Sequence, residues 1–300
     1  MRAGLRWVLL IAVVLVTVYG GVSYVIASDV TEAERNAQED HPSEHSLQFE
    51  DVEFRSRTGD VTLAGWYIAG DNQSPTIIFV HGLNSVRSGG SAVELAALLV
   101  DRGFNILMFD LRGHGESGGY RTSGGFFERD DVLGAFDFLV GRGIPADKIG
   151  VWGKSMGAGT SVMALVDEPA IKALVIDGTY ASVPDLVAGE VARKMNIPNN
   201  LATVFVPGST LLANLLYGID ISILLPDQVV GRLEYPILLI HGTADTRIPH
   251  EHSERVHRAA HPDSILWSVS GADHGDSFAL HPQEYVEKVS SYFMARLVRK

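Results

Sequence analysis

Short apolar runs alternate with helical stretches along most of the chain, and this alternation restricts its possible folds more than any other feature. Successive parallel strands need a crossover connection, which is usually a helix, whereas antiparallel strands can be joined by a tight turn. The pattern therefore predicts an α/β fold, with a mainly parallel central sheet flanked by helices on both faces. The predicted strands are Thr76–Val80, Asn105–Phe109, Ile149–Val151, Ala173–Ile176, Ile237–Ile240 and Ile265–Val269.

Two parts of the chain depart from this alternation. Before it, apolar residues recur through 47–54 and 61–68 on either side of a Gly-Asp turn, which predicts an antiparallel pair of strands. Later, residues 181–233 separate two predicted strands by far more chain than a crossover needs. This insertion is apolar around 204–216 and contains several prolines, so we expect short helices that form a lid, with a plain packing excursion as the alternative.

The N-terminus carries a segment suited to a membrane. No charged residue occurs from Trp7 to Ala27, and a helix of that length, at about 1.5 Å per residue, spans roughly the 30 Å hydrocarbon layer. Arg2 and Arg6 precede the segment, and acidic residues follow it. The positive-inside rule then predicts a single-pass transmembrane helix with a cytoplasmic N-terminus and an extracytoplasmic domain. A cleavable signal peptide, suggested by the short side chains at 25–27, is the alternative and would give a secreted protein.

Composition completes the expected organisation and excludes several classes of function. We expect a membrane segment at 1–28, a polar linker at 29–45 and an α/β domain at 46–300 that contains the insertion at 181–233. The net charge of −12 argues against a nucleic-acid partner, because phosphate binding needs clustered Lys and Arg. The chain has no cysteine, so it can form neither a disulfide nor a thiolate zinc site, and it has no Cys nucleophile.

The strongest local motif is Gly153-Lys154-Ser155-Met156-Gly157, which matches G-x-S-x-G between a predicted strand and a predicted helix. A turn this tight forces the serine into a strained backbone conformation, and a Cβ on either flanking glycine would clash. Ser155 is then exposed at the carboxyl end of the strands, beside a positive helix N-terminus. The motif predicts that Ser155 is a nucleophile and that Lys154 is a solvent-facing spacer.

A serine nucleophile needs a general base, and the chain has eleven histidines. His274 follows the last predicted strand in Gly-Ala-Asp-His-Gly, and Asp245 follows an earlier strand in His-Gly-Thr-Ala-Asp. Loops rich in glycine at strand ends could bring both side chains to Ser155. These residues are the best candidates for the base and the acid, with Asp273 as the alternative acid.

With these motifs in place, the chain resembles the α/β-hydrolase superfamily over roughly residues 47–298, and particularly its membrane-anchored Bem46-like and serine aminopeptidase S33-like branch. The matching motifs are His81-Gly82, Asp110–Ser117, the Ser155 turn, His241–Asp245 and Asp273–Gly275. The resemblance implies the triad order Ser155, Asp245, His274. It also implies an oxyanion hole formed by the backbone amides of Leu83 and Met156.

The resemblance implies hydrolysis of a carboxylic ester, or of a related thioester or amide, through an acyl-enzyme and without a cofactor or metal. The apolar insertion and the membrane segment favour a small-molecule or lipid-like acyl substrate. A serine peptidase of the S33 type and a non-catalytic, membrane-tethered binding module remain as alternatives, because one fold serves many functions.

Two further motifs have less specific interpretations. The loop from Asp110 to Ser117 is rich in glycine but lacks the Gly-Lys-Ser/Thr ending of a phosphate-binding loop, so we interpret it as structural. Four histidines between 250 and 261 could suggest a metal site, yet no H-E-x-x-H motif occurs and a solvated helix face is expected instead.

Overall fold

A computed structural model of the protein describes residues 2–70 and 74–298. Within those ranges, eight strands form one sheet in the order β1-β2-β4-β3-β5-β6-β7-β8. The first two strands and the β2-β4 pair are antiparallel, and every other neighbouring pair is parallel. The strands are β1 (Phe49–Arg55), β2 (Thr62–Ile68), β3 (Thr76–Val80), β4 (Asn105–Phe109), β5 (Ile149–Lys154), β6 (Leu174–Asp177), β7 (Leu238–Gly242) and β8 (Ile265–Val269).

Helices connect the parallel strands, as the alternation of the sequence predicts. The central strands β3 and β4 are buried along their whole length, which explains why they are continuous apolar runs. The helices are α1 (Arg2–Thr31), α2 (Ala92–Val100), α3 (Glu128–Gly141), α4 (Met156–Leu165), α5 (Val183–Met195), α6 (Asn199–Tyr217), α7 (Pro226–Val229), α8 (Glu251–Ala259), α9 (Ser277–Leu280) and α10 (Pro282–Leu297). The predicted α/β fold, with a mainly parallel sheet and helices between its strands, is confirmed.

The two faces of the sheet carry separate hydrophobic cores. One core joins α3 and α4 to the sheet, for example through Leu139 and Val162. The other joins α2 and α10, for example through Leu99 and Phe293. A Cβ at Gly150 in β5 would lie 2.7 Å from the Phe293 ring, so this glycine lets α10 approach the sheet closely. Burial on both faces holds the carboxyl ends of the strands in a fixed arrangement.

The contacts divide the chain into two compact units. One consists of the residues up to Glu32 together with Val183–Ile223, and the other consists of Ala33–Ser182 with the chain from Leu224 onward. Most of the insertion therefore groups with the N-terminal helix α1. The sequence alone predicts instead that the insertion belongs to the α/β domain. We call the first the helical unit and the second the sheet unit.

Part of the polar linker predicted at 29–45 makes specific contacts within the sheet unit. Arg35 donates to the carbonyl oxygens of the glycine-rich loop at Gly115, Ser117 and Gly119, at 2.6 to 2.9 Å. Asn36 donates to the carbonyl oxygen of Asn84 at 2.8 Å. A 3-10 turn at Pro42–His45 then leads into β1. The helix α1 extends to Thr31, beyond the expected end of the membrane segment at residue 28.

Candidate active site

Ser155 lies in a strained turn between β5 and α4. Its backbone has φ 55° and ψ −120°, a region that non-glycine residues rarely adopt. A Cβ at Gly157 would lie 2.2 Å from the carbonyl oxygen of Val80, and one at Gly153 would lie 2.6 Å from that of Gly157. Both glycines of the motif are therefore required by close backbone packing, which holds the serine at the carboxyl end of β5.

Three side chains predicted from the sequence meet at this turn. The His274 Nε2 atom lies 2.8 Å from Ser155 Oγ, and the His274 Nδ1 atom lies 2.7 Å from Asp245 Oδ2. Asp245 follows β7, and His274 follows β8. Because the carboxylate can only accept, Nδ1 carries the imidazole proton and Nε2 faces the serine hydroxyl as an acceptor. This is the arrangement in which an imidazole can remove a proton from a serine.

The carboxylate of Asp245 is fully engaged by donors. Its Oδ1 atom accepts from the amides of Arg247 at 2.9 Å and Ile248 at 2.8 Å. Its Oδ2 atom accepts from His274 and lies 3.1 Å from His241 Nε2. Burial raises the pKa of Asp245, but the hydrogen bonds from His241, His274 and the Ile248 amide outweigh it and hold the pKa well below its usual range. Asp245 is therefore ionised at neutral pH.

His241 is a part of the site that the sequence analysis missed. It is fully buried at the end of β7, and its Nε2 atom faces both Asp245 and the carbonyl oxygen of Ile248, at 2.8 Å from the latter. Since both partners are acceptors, Nε2 carries the proton, and Nδ1 accepts from the Ser253 hydroxyl. The ring therefore orients Asp245. A histidine four residues before the candidate acid is the only sequence signal that could have indicated this role.

Asp273, the alternative acid, does not reach the imidazole through its carboxylate. Its Oδ1 atom accepts from the backbone amides of Thr246 at 3.0 Å and His274 at 2.8 Å. These bonds lower the pKa of the exposed Asp273 carboxyl, with the Thr246 amide contributing most. The Asp273 carboxylate therefore links the loops after β7 and β8 by hydrogen bonds, and the His274 ring is bonded to Asp245 instead.

The loop after β3 also approaches Ser155. A Cβ at Gly82 would lie 3.0 Å from the Ser155 Cβ, so only glycine allows this approach without displacement. His81 holds the loop: its Nε2 atom accepts from the Leu111 amide at 2.9 Å, and its Nδ1 atom lies 2.8 Å from the Gly82 carbonyl oxygen. Burial, together with the neighbouring His114, lowers the pKa of His81 to about 4. The neutral ring therefore fixes the position of Leu83, while Met156 begins α4 directly after the serine.

A cavity of about 170 Å³ opens beside Ser155 and His274. Leu83, Phe79 and Trp152 contribute apolar lining, and Lys154 and Arg247 contribute cationic lining. Lys154 is half-buried and lines this cavity, whereas the sequence suggested only a spacer that faces solvent. The cavity has room for a small acyl or alcohol group next to the serine hydroxyl.

The two less specific motifs have local structural partners. Asp110 is fully buried and accepts from the Arg87 amide and guanidinium at 2.7 and 2.6 Å, and from Gln38 at 3.0 Å. Hydrogen bonds to other segments of the sheet unit therefore hold the loop that begins at Asp110. His250 lies 2.8 Å from Ser268 Oγ, and His257 lies 2.9 Å from the Ser264 carbonyl oxygen. Among the residues that the structure describes, no group of three or more His, Asp or Glu side chains is placed to hold a metal ion.

Comparison with known proteins agrees with this architecture. The family model for the alpha/beta hydrolase fold matches residues 75–220. The YfhR protein of Escherichia coli O157:H7 is 29% identical over 260 residues, which cover 83% of this chain and 81% of that protein. The Pyrococcus furiosus esterase Pf2001 superposes with a TM-score of 0.71 at 25% identity, and the match covers 89% of this chain and 100% of the esterase chain.

A more distant relative has a lipid substrate in its name. The lysophosphatidylserine lipase ABHD12 of Danio rerio is 25% identical over 203 residues, covering 66% of this chain and 50% of that protein. Together, the family model, these relatives and the sheet topology show that the chain belongs to the α/β-hydrolase superfamily. The superfamily and the esterase neighbour support a hydrolase.

Proposed function

We propose that the protein is a serine hydrolase that cleaves carboxylic esters through Ser155, His274 and Asp245. The observation that carries this proposal is the continuous hydrogen-bond chain from Ser155 Oγ through His274 to Asp245, at 2.8 and 2.7 Å. Its geometry meets the requirement that a general base lie within hydrogen-bond reach of the proton it removes.

The proposed reaction begins when His274 Nε2 takes the Ser155 proton as the serine oxygen attacks the ester carbonyl carbon. The carbonyl electrons move to the oxygen, where the amides of Leu83 and Met156 donate to the negative charge. When the tetrahedral intermediate collapses, the ester bond breaks and the alcohol leaves with the proton from His274. Water, deprotonated by the same ring, then releases the acid and restores Ser155.

The ionised Asp245 stabilises the imidazolium that forms in each half of the reaction. The His241 ring holds the carboxylate in place, so the carboxylate does not have to reorient as the charge develops.

An ester is the first choice of substrate because the structurally similar Pf2001 protein is an esterase and ABHD12 is a lipase. The apolar side chains that line part of the cavity support a small-molecule or lipid-like acyl substrate. The chemistry needs neither metal nor cofactor, since the nucleophile, base and oxyanion donors all come from the chain. A serine peptidase would use the same groups on an amide bond.

We also propose that α1 anchors the protein as a single-pass helix, with its N-terminus in the cytoplasm and the sheet unit outside. The segment Gly4–Thr31 is long and apolar enough to cross a membrane, and only 11% of its most apolar window is buried within the structure. A signal sequence passes the same test, so cleavage is the alternative. N-terminal sequencing of the mature protein distinguishes an intact anchor from a secreted product.

The experiment that tests the activity compares hydrolysis of p-nitrophenyl esters of short and long acyl chains with hydrolysis of aminoacyl p-nitroanilides. We expect ester turnover by the parent and its loss in Ser155→Ala. The matched control is Ser290→Ala, which removes a buried serine of α10 whose hydroxyl donates to the Glu287 carbonyl oxygen, and it should retain activity. Turnover of the anilides alone would favour a peptidase. A folded parent that hydrolyses neither substrate would favour a binding module.

A further inference from the structure

The helical unit contains a contact between the anchor helix α1 and the insertion helix α6. Tyr19 of α1 donates to the Val204 carbonyl oxygen at 3.1 Å and accepts from the Gly208 amide at 3.1 Å. Its ring also stacks on Phe205, with centroids 5.4 Å apart. A Cβ at Gly208 would lie 2.3 Å from Ser23 Oγ, so glycine allows the two helices to approach closely at this point. The middle of α6 is thus held at the level of Tyr19 and Ser23.

That level lies inside the hydrocarbon layer if α1 spans a membrane. From Trp7, where the charge-free segment begins, Tyr19 is about 18 Å and Ser23 about 24 Å along the helix axis, at about 1.5 Å per residue. Both distances are shorter than the roughly 30 Å thickness of the hydrocarbon. If α6 were outside the bilayer, only the charge-free stretch of α1 from Trp7 to Val18 would remain to cross it. That stretch is only about 18 Å long.

The surface of α6 suits this position. No charged residue occurs from Asn199 to Ile219, and the helix leaves several large apolar side chains exposed, with Leu211 59% and Leu215 68% exposed. Leu201 and Val204 continue the exposed set towards the start of the helix. Exposed apolar surface of this extent has no favourable contact with water. The helix α6 packs against α1, which also exposes large apolar side chains and whose expected environment is lipid.

One charged side chain of the helical unit, that of Lys194, lies at the C-terminal end of α1. Lys194, at the end of α5, donates to the carbonyl oxygens of Asp29 at 2.7 Å and Glu32 at 3.1 Å. These carbonyls end α1, where a cation is favoured by the helix dipole. The lysine therefore marks the side on which α1 leaves the hydrocarbon, whereas the contact between α1 and α6 lies deeper.

We propose that α6 is embedded in the leaflet that the C-terminal half of α1 crosses, with its exposed apolar face against lipid acyl chains. The proposal rests on the membrane-spanning role proposed for α1 and does not depend on the ester chemistry. It assigns to the insertion a membrane-bound position, whereas the sequence suggested a lid or a plain packing excursion. The ligand of this surface is the bilayer itself.

The absence of cysteine from the sequence makes a depth measurement straightforward. Single cysteines at Leu211 and Leu215 report on α6, one at Val13 reports on α1, and one at Leu280 is the matched control. Leu280 is 51% exposed and lies in the sheet unit. Each full-length variant is labelled with an environment-sensitive fluorophore and reconstituted into phosphatidylcholine–phosphatidylglycerol vesicles. Quenching by doxyl-labelled lipid is compared with quenching by aqueous iodide.

We expect the probes at 211 and 215 to behave like the probe at 13: emission shifted to shorter wavelength, strong quenching by doxyl lipid and little by iodide. The probe at 280 should show the reverse. If 211 and 215 follow 280 while 13 reports lipid, α6 lies in water and the proposal is overturned while the anchor stands. If 13 also reports water, α1 does not span and the proposal falls with it.

A second copy of the chain covering α6 would also overturn the proposal. In that case both quenchers would fail at 211 and 215, and the signal would depend on the ratio of protein to lipid. Thermal unfolding followed by circular dichroism shows that each labelled variant is folded. Ester hydrolysis, measured separately, reports on the proposed activity, so that its failure is not confused with a failure of the membrane proposal.

Discussion

Replacement of Asp245 by Asn tests the electrostatic core of the site. The carboxylate accepts four donors, two backbone amides on Oδ1 and two imidazole nitrogens around Oδ2. The side chain of Asn has an NH₂ group in place of one of the two oxygens. The N–H groups of Asn would then face either the two backbone amides or the two imidazole N–H groups, all of which are donors. If the NH₂ group faces His274, the ring must place its proton on Nε2, where it can no longer accept the proton of Ser155.

The charge change sets the size of the effect. Two unit charges separated by 2.7 Å, the His274–Asp245 distance, attract by about 6 kcal/mol at an effective dielectric constant of about 20. Since each 1.36 kcal/mol is a factor of ten in rate, losing this stabilisation of the imidazolium lowers kcat by roughly 10⁴. The carboxylate is almost completely buried, so salt should change the result little.

The assay is steady-state hydrolysis of a p-nitrophenyl ester by the parent, Asp245→Asn and Asp273→Asn. Asp273 is the control because it adjoins His274 in the sequence but contacts only its backbone amide, so we expect its loss to stay within about tenfold. A fall of several thousandfold in Asp273→Asn, with Asp245→Asn near the parent, would refute the assignment of the acid.

Three further results follow from the packing around the site. Replacing His241 by Ala removes a buried donor to Asp245. Because a hydrogen bond to a charged group contributes about 1.5 to 3 kcal/mol, we expect kcat to fall roughly ten- to a hundredfold. A rate equal to that of the parent would contradict the positioning role of His241. Gly157→Ala should abolish folding or lower Tm sharply, because the added Cβ would clash with the Val80 carbonyl oxygen. In the control Gly141→Ala, the added Cβ has no atom within 4 Å, so the change should be neutral or stabilising by up to about 1 kcal/mol. The pKa of His81 is lowered to about 4 in the folded protein, so the stability that the neutral ring contributes is complete above about pH 6.5 and is lost as the pH falls towards 4. The free energy of unfolding, measured in urea, should therefore fall between pH 7 and 4.5. The fall should be less steep in His81→Gln.

The order of elements and the candidate site follow from local sequence patterns. Continuous apolar runs such as Thr76–Val80 identify buried parallel strands because both of their faces are covered. Ser155 could be selected because its strained turn requires glycine on both sides, a requirement that leaves a direct signature in the sequence. The positions of Asp245 and His274 at strand ends brought them to the same edge of the sheet, where the structure has them in contact.

Contacts between distant polar groups left no such signature. Arg35 binds backbone carbonyl oxygens of a loop eighty residues away, and carbonyls are present whatever the local sequence, so a polar segment could not be distinguished from a solvated one. The same holds for His241, which resembles a strand residue until its ring is seen beside Asp245. The pairing of α1 with α6 depends on Gly208, a glycine that in sequence indicates only a helix irregularity.

The central claim is that Ser155 is an activated nucleophile. Its most direct test is covalent labelling of the full-length protein with a fluorophosphonate, followed by peptide mass spectrometry. We predict a single adduct on Ser155 in the parent and in Ser290→Ala, and none in His274→Ala, because phosphonylation needs the base and the oxyanion donors together. A folded parent that stays unlabelled, or an adduct that persists at Ser155 in His274→Ala at the parent's rate, would contradict the account.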